Sequence, residues 1–272
     1  MTRARLQEIA GLARPRERAR RGQFLVEGVR SVEAAVHAGA PLVEVLAADG
    51  AADDPRVAAL LTAAVDAGVP VHLVGARALE RVSDAQTAQG VVAVARSGVA
   101  DLDARPDALA GATTVVVLDG VQDPGNVGTV VRTAAWFGAA AVVAGPGTAD
   151  FEGPKAVRSA MGGLWDVRLA RTVALGRALD ALRAAGLALY GADLAGTPAA
   201  GWHPGGPAAL VLGSEAHGLS AAARARLDGT VRIEAPSPAG APVGAPRGVE
   251  SLNVAVAAGI LLHRWLEGGD RG

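Results

Sequence analysis

The stretch Val115-Val-Val-Leu-Asp-Gly-Val-Gln-Asp-Pro-Gly-Asn-Val-Gly-Thr-Val-Val-Arg-Thr-Ala-Ala-Trp-Phe-Gly138 changes its periodicity half-way along. Val115, Val116 and Val117 are a β-branched run, the pattern of a strand buried on both faces. Gly120, Asp123, Pro124 and Gly125 break that run. Val127, Val130, Val131 and Ala134 then recur at helical spacing, so a helix is expected near 126–137. Asp123 and Asn126 fall in the turn, and Arg132 about two helical turns further on. Where a strand hands over to a helix in an α/β sheet, turn amides and the helix N-terminus point outward, and ligands bind there.

Working outward, the same alternation repeats. Further strands are expected near 139–144, 165–169, 187–191, 208–212 and 230–233, after a first at 113–118. Helices are expected near 154–161, 173–185, 220–227 and 251–267. Strands separated by helices imply right-handed crossovers and a mostly parallel sheet covered on both faces. Upstream, Phe24–Glu27, Leu42–Ala47, Val69–Val74 and Gly90–Ala95 read as strands. Val29–Ala38, Val57–Ala67 and Ala76–Val82 read as helices, which makes a smaller α/β domain. Residues 98–112, rich in Asp, Ala and Gly, read as a linker. The expected division is therefore 1–97, 98–112 and 113–272.

A chain of 272 residues, half of them hydrophobic, has room for two cores. Its net charge is −1, but eight arginines and only three glutamates fall in the first thirty residues. The rest carries eighteen basic and twenty-four acidic residues. Residues 1–22 read as a helical arm broken near Pro15, with Arg16, Arg18, Arg20 and Arg21 as candidate contacts to a polyanion. Cysteine is absent, which excludes disulfides, thiolate zinc sites and a cysteine nucleophile. No apolar run is long enough to span a membrane, and the N-terminus lacks the apolar core of a secretory signal. A cytoplasmic protein is the expectation.

Two later segments carry the same kind of signal as the first. Ala209-Leu-Val-Leu-Gly-Ser-Glu-Ala-His-Gly-Leu-Ser220 is a buried strand, a polar turn and a helix capped by Ser220. Gly213 there would let a ligand approach the backbone, with Glu215 at the strand's mouth. Glu250-Ser-Leu-Asn-Val-Ala-Val-Ala-Ala-Gly-Ile-Leu-Leu-His-Arg-Trp265 reads as an apolar final helix. Ser251 is its expected N-cap, and Asn253 falls in its first turn. No Gly-x4-Gly-Lys-Ser/Thr phosphate loop surrounds Lys155, the single lysine, and Ser214 lacks a nucleophile elbow.

In order and spacing the three segments resemble the motifs of the SpoU (TrmH-like) RNA ribose 2′-O-methyltransferases of the SPOUT superfamily. Asp-Pro-x-Asn-x-Gly-x-x-x-Arg-Thr-Ala, Gly-Ser-Glu-x-x-Gly-Leu and Glu-Ser-Leu-Asn-Val-x-Val-Ala are matched in turn. Phe24-Leu-Val-Glu-Gly-Val-Arg30 is similar to the substrate-binding domain of many of these enzymes. The resemblance implies a C-terminal trefoil knot, bound S-adenosylmethionine and a homodimer with the active site at its interface. It implies cofactor contacts at Leu212, Gly213, Ile233, Leu252 and Asn253. It makes Arg132 the catalytic arginine, with Asn126, Ser251 and Asn253 shaping the site. Glu215 and Arg158 are expected to face RNA. The family's short link from its isoleucine to Ser-Leu-Asn is replaced here by Glu234 and a Pro/Gly stretch running to residue 248.

Methyl transfer from a sulfonium needs no metal, because the leaving group is already activated. Arginine stays protonated in proteins, so Arg132 is read as orienting the ribose hydroxyl and a nearby phosphate. Ribosomal RNA is the expected substrate. The alternatives are transfer RNA and a non-catalytic RNA-binding dimer, from which the retention of Asn126, Arg132 and Asn253 argues away. The final helix, through Leu261, Leu262 and Trp265, is expected to supply the dimer surface.

Overall fold

The computed structural model describes residues 1–83, 90–235 and 249–267. Most of the Pro/Gly stretch before Ser251, residues 236–248, therefore lies outside the described residues. Two helices, α1 (Arg3–Gly11) and α2 (Pro15–Arg21), form the basic arm, and they divide at Pro15. The first sheet holds β1 (Gln23–Glu27), β2 (Leu42–Ala48), β3 (Val71–Val74) and β4 (Val91–Arg96) in the order β1-β4-β2-β3. Its helices are α3 (Val29–His37), α4 (Pro55–Asp66) and α5 (Ala76–Val82).

The second sheet is seven-stranded, and every pair in it is parallel. Its strands are β5 (Ala100–Asp101), β6 (Thr114–Asp119), β7 (Ala141–Ala144), β8 (Arg168–Arg171), β9 (Ala188–Pro198), β10 (Ala208–Gly213) and β11 (Gly229–Arg232). The spatial order is β11-β9-β10-β6-β7-β8-β5, which puts β6 and β10 side by side in the centre. The covering helices are α6 (Pro124–Trp136), α7 (Pro154–Ala160), α8 (Leu175–Ala184), the one-turn α9 (Ala221–Arg224) and α10 (Val254–Glu267).

The continuous apolar run of β6 serves two cores. Val116 and Leu118 face the core shared with α6, α7 and α10, while Val115 and Val117 face the one under α8. Successive strand side chains point to opposite faces, so a strand covered on both sides must be apolar at every position. The first of these cores runs into the N-terminal domain, where Phe24 of β1 stacks on Trp165 at 5.9 Å between ring centroids.

The fold differs from the sequence reading in the linker, in β9 and at the final helix. Residues 98–112 do not hang between domains: β5 pairs with β8, and Leu102, Leu109 and Ala112 are buried against the α8 side of the second sheet. β9 runs on to Pro198, seven residues past its expected end, held by β11. Gly196 lies so close to the Thr230 backbone that a methyl group there would come within 2.6 Å of it. Leu261, Leu262 and Trp265 are buried within the protomer, so they supply no intersubunit surface. The large apolar side chains left exposed nearby are Trp136 on α6 and Val256 on α10.

Candidate active site

The three polar segments meet at one place, the carboxyl edge of β6 and β10. Asp123 caps α6 by accepting from the amide of Asn126 at 3.0 Å, with Pro124 at the first helical position. Lys155, at the start of α7, holds the other carboxylate oxygen of Asp123 at 2.8 Å. That ammonium and the Asn126 amide keep the Asp123 carboxyl below its usual range. The cap therefore stays ionised and fixes where Asn126 stands. Lys155 was not among the expected site residues; the Asp-Pro-x-Asn spacing pointed to the cap but not to the lysine brought to it by α7.

Asn126 then joins the other two segments. Its side-chain amide donates to Glu215 at 2.5 Å, and its carbonyl accepts from the Asn253 amide at 3.0 Å. Glu215 follows β10, and Asn253 sits at the start of α10, so one asparagine ties three separate chain segments together. Glu215, exposed at the expected RNA-facing edge, is thus also a partner of Asn126. The Asn253 carbonyl accepts from the amides of Ala255 and Val256, which makes Asn253 the N-cap of α10. Ser251, the expected cap, is exposed three residues before the helix, which begins at Val254.

Gly213 has a different reason for being glycine than the one expected. A methyl group there would lie 2.3 Å from the Gly218 carbonyl carbon and 2.5 Å from the Leu219 nitrogen. The chain's own turn, closed by mutual Ser214–Gly218 backbone hydrogen bonds, occupies that approach. Ser220 caps α9 as expected, and its amide donates to Asp119 at the end of β6 at 2.6 Å. Leu212 is buried in the sheet, Ile233 is half-buried beyond β11, and Leu252 is exposed beside Asn253.

Arg132 projects from the exposed side of α6 and has no hydrogen-bond or ion-pair partner among the described residues. Its backbone is clamped: a methyl group on Gly163 would come within 3.0 Å of the Arg132 α-carbon. The α6–α7 contact is closer still at Gly128, where a methyl group would lie 2.2 Å from the Ala156 carbonyl oxygen. A free guanidinium on a fixed backbone, six residues along α6 from Asn126, is equipped to bind an anionic or hydroxyl-bearing group.

Residues 113–263 match the SpoU rRNA Methylase family. The chain belongs to that family. Residues 3–93 match the MRM3-like substrate binding domain. Among SpoU relatives, the chain is 33% identical to the 23S rRNA (guanosine(2553)-2′-O)-methyltransferase RlmP of Bacillus subtilis, over 91% of this chain and 90% of that protein. It is 34% identical to the 23S rRNA (guanosine-2′-O-)-methyltransferase RlmB of Xanthomonas axonopodis, over 89% of this chain and 95% of that one. The SpoU methyltransferase AviRb of Streptomyces viridochromogenes, solved in complex with AdoMet, superposes with a TM-score of 0.80 at 29% identity, covering 98% of both chains.

The basic arm is where the SpoU reading of RNA contacts needs correction. Arg18 is 5% exposed; it bonds to the carbonyls of Leu12 and Ala13 and pairs with Asp150 of the catalytic domain at 2.7 Å. It is an interdomain tie, unavailable to RNA. Arg20 and Arg21 both engage Glu17, holding its carboxyl at about 2. Arg16 is exposed and has no partner among the described residues. Arg158 bridges from α7 to Glu27 of β1 at 3.0 Å, so it too joins the domains.

Proposed function

We propose that this SpoU protein transfers the methyl group of S-adenosylmethionine to a ribose 2′-hydroxyl of ribosomal RNA. The observation that carries this reading is the hydrogen-bonded chain Glu215–Asn126–Asn253, with the unpartnered Arg132 on the same helix as Asn126. The 23S rRNA 2′-O-methyltransferase names of the relatives, and a substrate-binding domain ahead of the catalytic one, favour ribosomal over transfer RNA. A non-catalytic RNA binder would have no need to keep three distant segments locked on one asparagine.

The edge fits S-adenosylmethionine in donor chemistry. The partner of the Glu215 carboxylate among the described residues is the neutral amide of Asn126, so the site accepts the positive charge of a sulfonium. Leu212, Gly213, Ile233 and Leu252 would hold the cofactor through backbone groups, with Asn253 beside them. When bound, it supplies a methyl group on a good leaving group. Arg132 then orients the 2′-hydroxyl and an adjacent phosphate through its planar, two-pronged guanidinium. Asn126, fixed on both sides, shapes the ribose pocket, and Ser251 lies exposed at its rim.

Assembly and topology follow the same reading. The exposed face of α6 carries Arg132 and Trp136, and α10 packs beside it with Val256 exposed. A second copy seated there would complete the site as a homodimer. The packing of α10 on α6 is taken to belong to a C-terminal trefoil knot, as the SpoU resemblance implies. The enzyme works in the cytoplasm, where its ribosomal substrate is made.

The direct test is methyl incorporation into purified large-subunit rRNA. Arg132→Ala should abolish it while S-adenosylmethionine binding by calorimetry is retained, and Arg132→Lys should not restore it. Wild-type transfer rates in Arg132→Ala would remove the arginine from the chemistry. Label entering transfer RNA in preference to ribosomal RNA would reassign the substrate.

A further inference from the structure

A cleft of about 470 Å³ lies between the two domains, away from the Asn126 site. One wall is the turn from β1 into α3, with Gly28, Arg30 and Ser31; the other is the end of α7, with Arg158 and Met161. Gly28 precedes α3 with φ 89°, a conformation that glycine adopts at no steric cost. No side chain caps α3, and no acidic residue occupies its first turn. The Gly28 amide bonds to Val91, and the first intrahelical bond runs from Val32 to Gly28. The amides of Val29, Arg30 and Ser31 are therefore left facing outward at the positive end of the helix.

Ser31 supplies a second, independent pointer. It lines the cleft at 5% exposure, yet its hydroxyl has no hydrogen-bond partner among the described residues. The little of Ser31 that stays exposed opens on the cleft, so its unpartnered hydroxyl is available to a ligand seated there. Arg30, exposed at the cleft mouth, makes no hydrogen bond or ion pair among the described residues, and its charge acts on Glu33 within α3. Among the described residues on the cleft floor, the Glu27 carboxylate pairs with Arg158. Asp54 and Arg56 at the rim are committed to the α4 cap and to Glu33.

We propose that this cleft holds one phosphodiester of the RNA substrate, on the α3 amides, the Ser31 hydroxyl and the Arg30 guanidinium. The inference rests on the RNA substrate of the preceding section and adds a defined grip to it. Backbone amides at a helix N-terminus are suited to phosphate, and they read no base. The grip is also in fixed register with the chemistry. Gly162, next to Met161, packs so closely on α3 that a methyl group there would come within 2.5 Å of Ala34 Cβ, and Gly163 abuts the Arg132 backbone. A phosphate seated in the cleft thus sets a constant distance from the N-terminal domain to Arg132.

The test uses the full chain and an in vitro transcript of large-subunit rRNA, with binding followed over a range of salt. Arg30→Glu should weaken binding roughly tenfold, and the slope of log affinity against log salt should fall by about one unit. Ser31→Ala should weaken binding severalfold with little change of slope, because a neutral hydroxyl releases no counterion. Arg105→Glu, the same charge change within the 98–112 segment, should match wild type. An acidic residue in the first turn of α3 favours the helix, so Arg30→Glu should not lower the thermal midpoint; should it do so, Arg30→Gln carries the same readout. If Arg30→Glu and Arg105→Glu bind alike while wild type binds well, the cleft proposal is overturned and the RNA reading stands. If wild type does not bind the transcript, both fall.

Discussion

Asn253 donates to Asn126 across 3.0 Å and, with its other side-chain atom, caps the helix that follows it. One residue thus fixes both the start of α10 and the orientation of Asn126. The two roles separate by substitution. Asn253→Asp keeps the capping oxygen but sets a second acceptor against the Asn126 carbonyl, so folding stability should stay near wild type while methyl transfer falls at least tenfold. Asn253→Ala loses both, with an added stability cost of about 0.5–2 kcal/mol. Thermal midpoints and initial rates measured together decide it; full activity in Asn253→Asp would show the Asn126 contact to be incidental.

Much of this arrangement was legible in the sequence, and the losses have identifiable causes. The β-branched run before Asp119 and the Gly–Pro punctuation after it are local signals, so strand, turn and helix could be placed to within a few residues. Ser251 and Asn253 are both good capping residues, and only the path of the chain into α10 decides between them. Gly213 signals close approach, but nothing local says whether a ligand or the Gly218 backbone makes it. Arg18 looks like its neighbours Arg16 and Arg20 until Asp150, far along the chain, is brought against it. Leu261, Leu262 and Trp265 announce burial without saying in which subunit. In each case the residue type was informative and the partner was set by tertiary contact.

Gly128 should tolerate no side chain. A methyl group 2.2 Å from the Ala156 carbonyl and 2.7 Å from Ser159 Cβ would force α6 and α7 apart and pull Lys155 from Asp123. Alanine gains about 1 kcal/mol of helix propensity, and overpacking costs roughly 1–3 kcal/mol. A net loss of stability is expected, read as a lower denaturant midpoint with an unchanged m-value. A more stable Gly128→Ala would show that the two helices can separate freely.

Glu152 gives the protein a pH dependence of unusual sign. Burial pushes its carboxyl up, and Asp150 adds to this against a hydrogen bond from Ser97. A carboxyl whose folded pKa exceeds its unfolded one takes up a proton on folding. Its contribution is most favourable below the unfolded value and is lost as pH rises through the folded one. Glu152→Gln should therefore raise the thermal midpoint at pH 8, and the difference should shrink toward pH 4. A constant offset across that range would mean that the carboxyl titrates alike in both states.

Trp136 is 85% exposed on the same helix face as Arg132, with Val256 of α10 exposed at 50%. An indole left in water forfeits the burial that usually justifies its presence, and tryptophan is enriched among the residues that dominate interfaces. If a second copy covers this face, Trp136→Glu should weaken the dimer by about 2 kcal/mol or more, roughly thirtyfold in its dissociation constant. Because Arg132 lies one turn away on α6, methyl transfer should fall as the monomer accumulates and recover at higher protein concentration. Light scattering and activity across a dilution series measure both quantities on one sample. A wild-type monomer at micromolar concentration, or a Trp136→Glu protein that remains dimeric and active on dilution, would place the subunit contact elsewhere.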